Sequence, residues 1–552
     1  MNRMERRVPA LLLIIALGLG GCDSDFDTTT PPPPPPDPTN TDPNAADQAF
    51  ATDEDTPLEE QVVADDPDGD PLIYQVVIGS GPNDGRLESF DEATGEFRYV
   101  PDRDFNGDST FDVTVSDDRG GSATFTVTIT VSCPDDQCSW DKFDDPDDPG
   151  LSNAREPSIA VDTALRVNVA FVEDNTPNGG TAGDIFVFGT DPMSRSFSKL
   201  AGSGTNGALN TVAEAARPDL IASLVPPTAL AVAWDEGDNI VVAAREDLNA
   251  TWTDVSGAPN SVAAEDPVLT LDAVTGSPLV AWTSIGDPLN TDALLAANTG
   301  FNVITNPGTW QPLDAPLDTN PANPASRVAI ASDDVPGGGT NVFGRSTVAW
   351  AEEIGGVSQV IVRQCDDAGA GALANCPQLG TALNVDPTLN ASEPAITVPS
   401  AATAAVIGGD PSNPRAVVAF VENGNLYVKR FEPGTGDWVQ LSDPTTADGR
   451  LNVGENGTAL NPAIVVDVLG RYTVVWNEVN LAQGNSFIFS KRLDAAGGGV
   501  WTPLGGILNC DPISGIASNP DIAVDSAGVP YITFQETDRG GDSHVVVMSF
   551  EN

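Results

Sequence analysis

Apolar and polar residues alternate, or cluster over strand-length runs, in the first part of the chain that can build a core. Between residues 47 and 131 the runs are LEEQVVA, LIYQVV, GEFRYV, STFDVTVS and SATFTVTITV, and they are separated by DDPDGDP, DEATG, PDRDFNG and DDRGG. Short apolar runs bounded by Asp, Asn, Gly and Pro predict β-strands joined by tight turns. We therefore expect residues 46–132 to form a β-sandwich of about seven strands.

A longer repeat occupies the chain from Cys133 onward. Seven segments share one pattern, for example EPSIAVDTALRVNVAFVED, NPAIVVDVLGRYTVVWNEV and NPDIAVDSAGVPYITFQET. Another strand-like run follows each copy, and most copies then add a short run with tryptophan, such as DWVQLSD. Strands that recur at roughly 40 to 60 residues without helical patterns predict a β-propeller, in which each blade is a four-stranded sheet.

The seventh copy ends at the last residues of the chain and lacks the outer strand of the other copies. The run CSWDKFDDP at 138–146 resembles those outer strands and precedes the first copy. We expect a strand within residues 139–145 to join the seventh blade, since ring closure leaves no unpaired sheet edge. The predicted fold class is therefore all-β: a sandwich followed by a seven-bladed β-propeller over residues 133–552.

A second regularity lies on the repeat. Six copies carry an aromatic residue followed two positions later by glutamate, at Glu173, Glu236, Glu352, Glu422, Glu478 and Glu536, whereas the third copy has Trp282 and Ser284. Residues two apart in a strand share a face. These glutamates either satisfy a repeated backbone turn or line an acidic ring, and their presence in nearly every copy favours the structural role.

The N-terminus has three parts. MNRMERR contains three arginines, VPALLLIIALGLGG is apolar and shorter than the roughly 20 residues of a spanning helix, and small residues precede Cys22. This order is typical of an export signal, here residues 1–21. The ending Leu-Gly-Gly-Cys resembles the lipobox of bacterial lipoproteins, which implies that Cys22 is lipidated and becomes the mature N-terminus.

The segment after Cys22 contains TTTPPPPPPDPTNTDPN. Such proline-rich sequence predicts an extended, semi-rigid stalk, so residues 22–45 are interpreted as a lipidated cysteine and its spacer. We expect the protein at the bacterial cell envelope, anchored to a membrane by lipid and facing the periplasm or the exterior.

The stretches TDEDTPL, DDPDGDPLIY, GEFRYVPDRDFNGDSTFDVTVSD and GGSATFTVTITV resemble, in order and spacing, bacterial cadherin-like, immunoglobulin-like repeats. Asp66, Asp68 and Asp70 alternate in one turn, where Gly69 permits the bend, and calcium takes six to eight oxygen ligands. The resemblance implies that Asp117 lies at the same pole and that calcium binds there. The alternative is that these residues only make solvated turns.

Charge narrows the classes of partner. The chain has 80 acidic and 25 Lys and Arg residues, a net charge of −55. Such a field repels nucleic-acid phosphates and anionic lipids, so we expect no nucleic-acid partner; adaptation to a salty medium is an alternative explanation. The single histidine, His544, disfavours a Ser-His-Asp triad and histidine-ligated zinc.

The cysteines suit an oxidising compartment. Cys365 and Cys376 are expected to form a disulfide between the third and fourth strands of the fourth blade. Cys133, Cys138 and Cys510 form an odd set, within which one bridge is expected and its pairing is open.

The propeller repeat resembles sialidase-like proteins in its scaffold alone. Arg155 and Arg217 lie near blade starts, but the chain has no clear match to the three-arginine and tyrosine motif of sialidases. We therefore assign no catalytic residue and interpret the protein as a calcium-assisted binding or adhesion module for an unknown protein or carbohydrate. The alternative is a propeller-type glycosidase or another hydrolase, because carboxylate pairs can hydrolyse glycosides.

Overall fold

The computed structural model describes residues 40–53, 56–77, 79–82, 85–101, 107–132, 140–143, 146, 152–174, 183–190, 196–200, 208–210, 215–222, 230–245, 251–255, 259–260, 263–272, 277–284, 292–299, 309–312, 317–320, 323–336, 344–367, 373–374, 376–410, 415–454, 457–480, 484–494, 499–510, 516–537 and 541–550. The chain divides into two compact units, residues 1–132 and 133–552. Within the described part, no helix has the length and apolar character needed to cross a membrane.

The first unit is a β-sandwich. Its strands are β1 (Gln48–Asp53), β2 (Leu58–Gln61), β3 (Ile73–Val76), β4 (Gly85–Phe90), β5 (Glu96–Pro101), β6 (Gly107–Ser116) and β7 (Ser122–Ser132). One sheet has the order β1-β7-β6-β3, with β1 parallel to β7, and the other has the order β2-β5-β4. Alternate residues of the strands fill the space between the sheets, and Tyr99, Phe111 and Ile129 are fully buried there.

Residues that precede the sandwich boundary expected from the sequence, at residue 46, already contact the sandwich. These contacts begin at Asn40, whose side chain is hydrogen-bonded to Asp117. Asn44 and Asp65 exchange two backbone hydrogen bonds of 2.7 and 3.0 Å. Residues 40–45 therefore contribute to the structure of the first unit.

The second unit is a β-propeller. Blade 1 comprises β9 (Ser152–Val161), β10 (Val167–Asp174), β11 (Gly183–Thr190) and β12 (Phe197–Lys199). Blade 2 comprises β13 (Ala215–Ala222), β14 (Leu230–Glu236), β15 (Asn239–Arg245) and β16 (Thr253–Asp254). Blade 3 comprises β17 (Ala264–Leu271), β18 (Pro278–Ser284), β19 (Ala293–Thr299) and β20 (Thr309–Pro312). Blades 4 and 5 comprise β21 (Ala325–Pro336), β22 (Gly344–Ile354), β23 (Val357–Asp367) and β24 (Leu373–Ala374); and β25 (Ala391–Thr397), α1 (Ala401–Val406), β26 (Val417–Glu422), β27 (Asn425–Glu432) and β28 (Asp437–Gln440). Blade 6 comprises β29 (Thr458–Val466), β30 (Arg471–Asn480), β31 (Asn485–Asp494) and β32 (Trp501–Pro503), and blade 7 comprises β33 (Ile516–Val524), β34 (Pro530–Thr537), β35 (Ser543–Phe550) and the N-terminal β8 (Trp140–Lys142).

The blades close into a ring. The first strand of each blade contacts the first strand of the next, and β33 contacts β9, so the seven inner strands form a complete circle. Strand β8 pairs with β35, with Trp140 opposite Phe550 and Lys142 opposite Met548, which is the pairing expected from the spare outer strand in the sequence. The backbone N–H of Phe143 then donates to the carbonyl of Val547 at 2.9 Å.

Repeated side chains join neighbouring blades along surfaces that we call the seams. Glu478 of blade 6 accepts hydrogen bonds from the backbone N–H groups of Val453 and Gly454 at 3.0 and 2.6 Å, after the outer strand of blade 5. Glu422 accepts from the N–H groups of Val385 and Asp386 in the same way. These bonds confirm the structural interpretation for Glu422 and Glu478.

Outer-strand tryptophans join the same seams. Trp438 of blade 5 donates its indole N–H to the carbonyl of Leu379 at 2.9 Å, and Trp501 of blade 6 donates to the carbonyl of Leu441 at 2.8 Å. Each bond joins a blade to the outer strand region of the preceding one.

The predicted disulfide is confirmed. Cys365 on β23 is bonded to Cys376, which lies just after β24, with an S–S distance of 2.05 Å. Cys22, Cys133 and Cys138 lie outside the described residues. The backbone N–H of Cys510 donates to Glu536 at 3.0 Å.

Candidate functional site

The seven inner strands surround a central channel with a volume of about 960 Å³. Its wall consists of residues 156–161, 217–222, 265–269, 327–330, 393–396, 461–465 and 519–524, one segment from each blade. A cavity of this size is within the range of small-ligand sites.

One residue near the start of each inner strand has a left-handed backbone. These residues, which we call the channel rim, are Glu156, Arg217, Asp266, Arg327, Glu393, Asn461 and Asn519, with φ between 47° and 53°. The pairing register of every inner hairpin shifts at this position, as in a β-bulge. Left-handed backbone costs about 1–3 kcal/mol at a residue other than glycine, and such residues and bulges concentrate at ligand sites.

The rim combines different polar groups. Three positions carry carboxylates, two carry guanidinium groups and two carry amides, and proline follows the rim residue in all blades except the fourth. The repeated Glu-Pro, Arg-Pro, Asp-Pro and Asn-Pro pairs are visible in the sequence, but they were not among the site residues predicted from it. These residues could have been recognised in the sequence as a polar position whose residue type differs between blades, although the residues around it are similar in every blade.

Most rim residues are hydrogen-bonded to a neighbouring rim residue. Glu156 accepts from the backbone N–H of Arg217 at 2.8 Å, and Glu393 accepts from that of Asn461 at 2.6 Å. The amide of Asn461 donates to Oδ1 of Asn519 at 3.3 Å. These bonds follow the ring from one blade to the next and hold the rim in place.

Arg217 is enclosed by acids. Its guanidinium lies 2.8 Å from Asp266, 3.1 Å from Glu265 and 3.3 Å from Asp235. Burial raises the pKa of Asp235 to about 6, although the positive charge of Arg217 opposes this shift. Arg217 is thus neutralised by the protein itself.

A second layer lies two residues further along each inner strand. Ser158 occupies this position in blade 1 and lies between two acids, with its Oγ 2.9 Å from Asp521 of blade 7 and 3.3 Å from Asp219 of blade 2. Each of these side chains also accepts the channel-facing N–H of the following blade: Asp521 accepts from Ile159, Ser158 from Leu220, and Asp219 from Leu269.

The burial of Asp219, Ser158 and Asp521 determines which of the two acids carries a proton. Burial and the neighbouring Asp521 raise the pKa of Asp219 to about 7, and burial also raises that of Asp521. Because the Ser158 hydroxyl carries one proton and donates to only one acid at a time, a protonated Asp219 completes the chain by donating to Ser158. Two acids in such proximity favour one shared negative charge.

The remaining blades have small or apolar residues in the second layer. Val268, Ala329, Ala395 and Ala463 occupy it in blades 3 to 6. The described lining residues contain no tyrosine, and Arg155 is not among them. Among these described residues, the arginines Arg217 and Arg327 are therefore not accompanied by a tyrosine.

The sandwich carries the other candidate residues at one pole. Asp66, Asp68 and Asp70 lie between β2 and β3, where Gly69 has φ +76°, and Asp117 lies between β6 and β7. Asp66 accepts from the N–H groups of Asp68 and Asp70 at 2.9 and 3.1 Å. Arg119 lies in the same loop as Asp117, and its guanidinium is 3.1 Å from the carboxylate of Asp70. The β2–β3 and β6–β7 loops therefore meet at one pole, as expected.

Two residues that the sequence analysis missed join this pole. Asn40 donates to Asp117 at 2.6 Å, which holds the pKa of Asp117 below its usual value. A Cβ at Gly121 would lie 3.0 Å from a carboxylate oxygen of Asp42, so this glycine leaves room for Asp42 beside Asp117. The signal for both was the TNTDPN segment directly before the sandwich.

The pole does not present a complete set of metal ligands. Among the described residues, no three His, Cys, Asp or Glu side chains converge as a metal site. Three enclosed oxygens nevertheless lack a hydrogen-bond partner: Oδ2 of Asp66, Oδ2 of Asp70 and Oδ1 of Asn40. Hard cations prefer oxygen ligands of this kind.

Comparisons with known proteins bear mainly on the fold. Residues 40–130 match the family of the bacterial Ig domain. No curated protein matches the chain. Solved structures with a similar fold include a Dyadobacter fermentans protein of unknown function (14% identity, TM-score 0.39, covering 74% of this chain and 98% of that one).

Two further similar structures have carbohydrate ligands. One is the GH93 α-L-arabinofuranosidase of Fusarium graminearum with arabinobiose (11% identity, TM-score 0.34, covering 74% of this chain and 98% of that one). The other is a mutant of the Aleuria aurantia lectin with Fucα1-6GlcNAc (12% identity, TM-score 0.36, covering 64% and 96%). At these identities and scores, the likeness does not bear on function. The chain is an all-β protein in which a sandwich similar to the bacterial Ig domain precedes a seven-bladed β-propeller.

Proposed function

We propose that the protein is a binding module that holds a hydroxyl-rich ligand, a carbohydrate, in the mouth of the propeller channel. The observation that carries this proposal is the mixed rim of carboxylates, guanidinium groups and amides around a channel of about 960 Å³. Sugar hydroxyls both donate and accept hydrogen bonds, and a rim with close-set donors and acceptors matches them. A rim with one sign of charge would instead favour a simple ion.

The test is a glycan array probed with the chain lacking residues 1–21. In the variant Ala395→Trp, the new indole fills the channel beside the rim; in the matched control Val439→Trp, it lies on an outer strand where Val439 is 44% exposed. We expect glycan signals to be lost in the first variant and kept in the second. Equal signals from both would place the ligand elsewhere, and no wild-type signal would contradict a carbohydrate ligand.

Glycoside hydrolysis is the second candidate, and one observation favours it. Asp219 and Asp521 flank one hydroxyl, and burial raises the pKa of Asp219 to about 7, which suits a general acid. Their present contacts favour a structural role, because both oxygens of each acid already take part in hydrogen bonds within the protein. Release of reducing sugar by wild type but not by Asp219→Asn or Asp521→Asn would support the enzyme.

We propose that the module is attached to the cell envelope through lipid at Cys22. The support is the sequence Leu19 to Cys22 after an export signal, together with the bacterial Ig domain match of residues 40–130. In fractionated bacteria, we expect Cys22→Ser to leave the detergent phase and to lack an acyl mass. Equal retention of the variant and wild type would contradict lipid attachment.

We also propose that calcium binds at the pole of the sandwich that contains Asp66, Asp70 and Asn40. The three partnerless oxygens support this, since a cation would satisfy them, and Arg119 would then move away from Asp70. Millimolar calcium should raise the unfolding temperature of the sandwich in wild type but not in Asp66→Asn. The control Asp91→Asn alters another turn of the sandwich and should keep the response. No heat of binding in wild type would leave these aspartates as turn residues.

A further inference from the structure

The channel has two chemically different halves below its rim. In blades 7, 1 and 2, the second-layer residues Asp521, Ser158 and Asp219 each accept the channel-facing N–H of the following blade. In blades 3 to 5, the residues at the same position are Val268, Ala329 and Ala395, whose side chains have no acceptor. In the polar half, side chains of the protein therefore accept the channel-facing backbone N–H groups, whereas in the other half no second-layer side chain does so.

The uncapped donors can be identified from the repeat. Leu220 and Leu269, whose N–H groups are capped, lie opposite Val232 and Val280 in their hairpins. Ile330, Ile396 and Ile464 occupy the same register in blades 4, 5 and 6. Because N–H direction follows register in an antiparallel pair, these three backbone N–H groups point into the channel, and no described side chain accepts from them.

Arg327 is the rim residue of blade 4 and lies three residues before Ile330 on the same strand. Each of the other six rim residues has a side-chain contact with a rim neighbour. Arg327 is exposed, and within the described part of the chain it has neither an ion pair nor a side-chain hydrogen bond. In a protein with 80 acidic residues, a guanidinium left without an acid at a ligand site indicates an anionic group from outside.

We propose that the channel ligand carries a carboxylate, which is held by the guanidinium of Arg327 and the backbone N–H groups of Ile330 and Ile396, on neighbouring inner strands. Two oxygens of a planar carboxylate match the paired donors of arginine, and backbone N–H groups add further donors at no charge cost. This inference rests on the proposed binding function and narrows it to acidic sugars. A carboxylate could also come from an acidic amino acid, which the experiment separates.

The experiment is titration calorimetry of the chain lacking residues 1–21 with D-glucuronate, D-glucose and N-acetylglutamate. We expect wild type to bind D-glucuronate at least about tenfold more tightly than D-glucose, because a hydrogen bond to a charged group is stronger than one between neutral groups. Arg327→Gln should remove that preference by lowering the affinity for D-glucuronate to about that for D-glucose. The control Arg86→Gln changes an exposed arginine of the sandwich and should keep it.

A second variant tests the backbone donors. Ala329→Asp places a carboxylate where Asp219 lies in blade 2, so that it caps Ile396 as Asp219 caps Leu269. This variant should fold, since the geometry already occurs in the protein, and should lose D-glucuronate binding.

The outcomes separate this inference from the function beneath it. Equal wild-type affinity for D-glucuronate and D-glucose would overturn the carboxylate proposal and leave sugar binding intact. An unchanged preference in Arg327→Gln would also overturn it. Binding of N-acetylglutamate alone, sensitive to Arg327→Gln, would support the carboxylate and contradict the carbohydrate, and no binding of any of the three would reject both.

Discussion

The seams between blades and the wall of the channel come from the same repeat, yet they treat their polar residues differently. At the seams, Glu422 and Glu478 occupy equivalent positions and accept equivalent backbone bonds. On the rim, equivalent backbone positions carry Glu, Arg, Asp or Asn. A residue type that repeats with its contacts belongs to the construction of the propeller. A position that repeats while its chemistry changes marks the surface available for recognition.

The largest expected effect tests the pairing of β8 with β35, which joins the two ends of the second unit within blade 7. Deleting residues 138–146 removes β8 and the buried Phe143, which packs 6.1 Å from Tyr531 and 6.0 Å from Phe197. The fragment 147–552 should then unfold at a much lower temperature and aggregate, since β35 becomes an open edge. The control fragment 134–552 keeps the strand and should melt like the full propeller. Identical melting and monomeric behaviour of both would show that β8 contributes little.

The next prediction compares a seam with the rim directly. Glu478→Ala removes the acceptor of two backbone N–H groups and of the Trp476 indole, so we expect a loss of about 2–4 kcal/mol in the free energy of unfolding. Arg327→Ala, on the rim, should change it by less than about 0.5 kcal/mol. Denaturant unfolding measures both, and Glu478→Gln, which keeps an acceptor, should fall between them. A rim variant as damaging as the seam variant would remove the distinction.

A pH measurement tests the polar half of the channel. The pKa of Asp219 is about 7 in the folded protein and near 3.8 when unfolded, so the folded state binds the extra proton between these values. This contribution to stability is complete below pH 4 and is lost as pH rises to 7. Asp219→Asn imitates the protonated acid, so its unfolding temperature should exceed that of wild type by several degrees at pH 7 and match it near pH 4. Parallel pH profiles would show that Asp219 titrates normally.

The smallest effect concerns a single seam bond. Trp438→Phe keeps an aromatic ring against its neighbours but loses the indole N–H that donates to Leu379. We expect a loss of about 1 kcal/mol, measured by denaturant unfolding, because one neutral hydrogen bond is removed. The exposed substitution Val439→Thr, one residue away, is the control and should have almost no effect. A cost for Trp438→Phe as small as that of the control would mean that the tryptophans serve packing alone.

Much of the fold could be predicted from local pattern. The spacing of strand-like runs predicted the sandwich, the seven blades and the spare strand at Trp140, because strand periodicity and turn residues are properties of neighbouring positions. The recurrence of glutamate two residues after an aromatic also predicted a structural role, which the bonds of Glu422 and Glu478 confirm. The close spacing of Cys365 and Cys376 made their disulfide accessible in the same way.

The tertiary structure alone decided which polar residues meet in the channel. Ser158 and Asp521 are 363 positions apart, and ring closure brings the first and last blades together so that they share a hydrogen bond. Likewise, the sequence shows Arg217 and Arg327 as equivalent arginines, but three acids neutralise Arg217 and none contacts Arg327 in the described structure. Periodicity determines the position of a residue within its blade. Its charge balance depends on neighbours from other blades, and those neighbours are set only when the ring has formed.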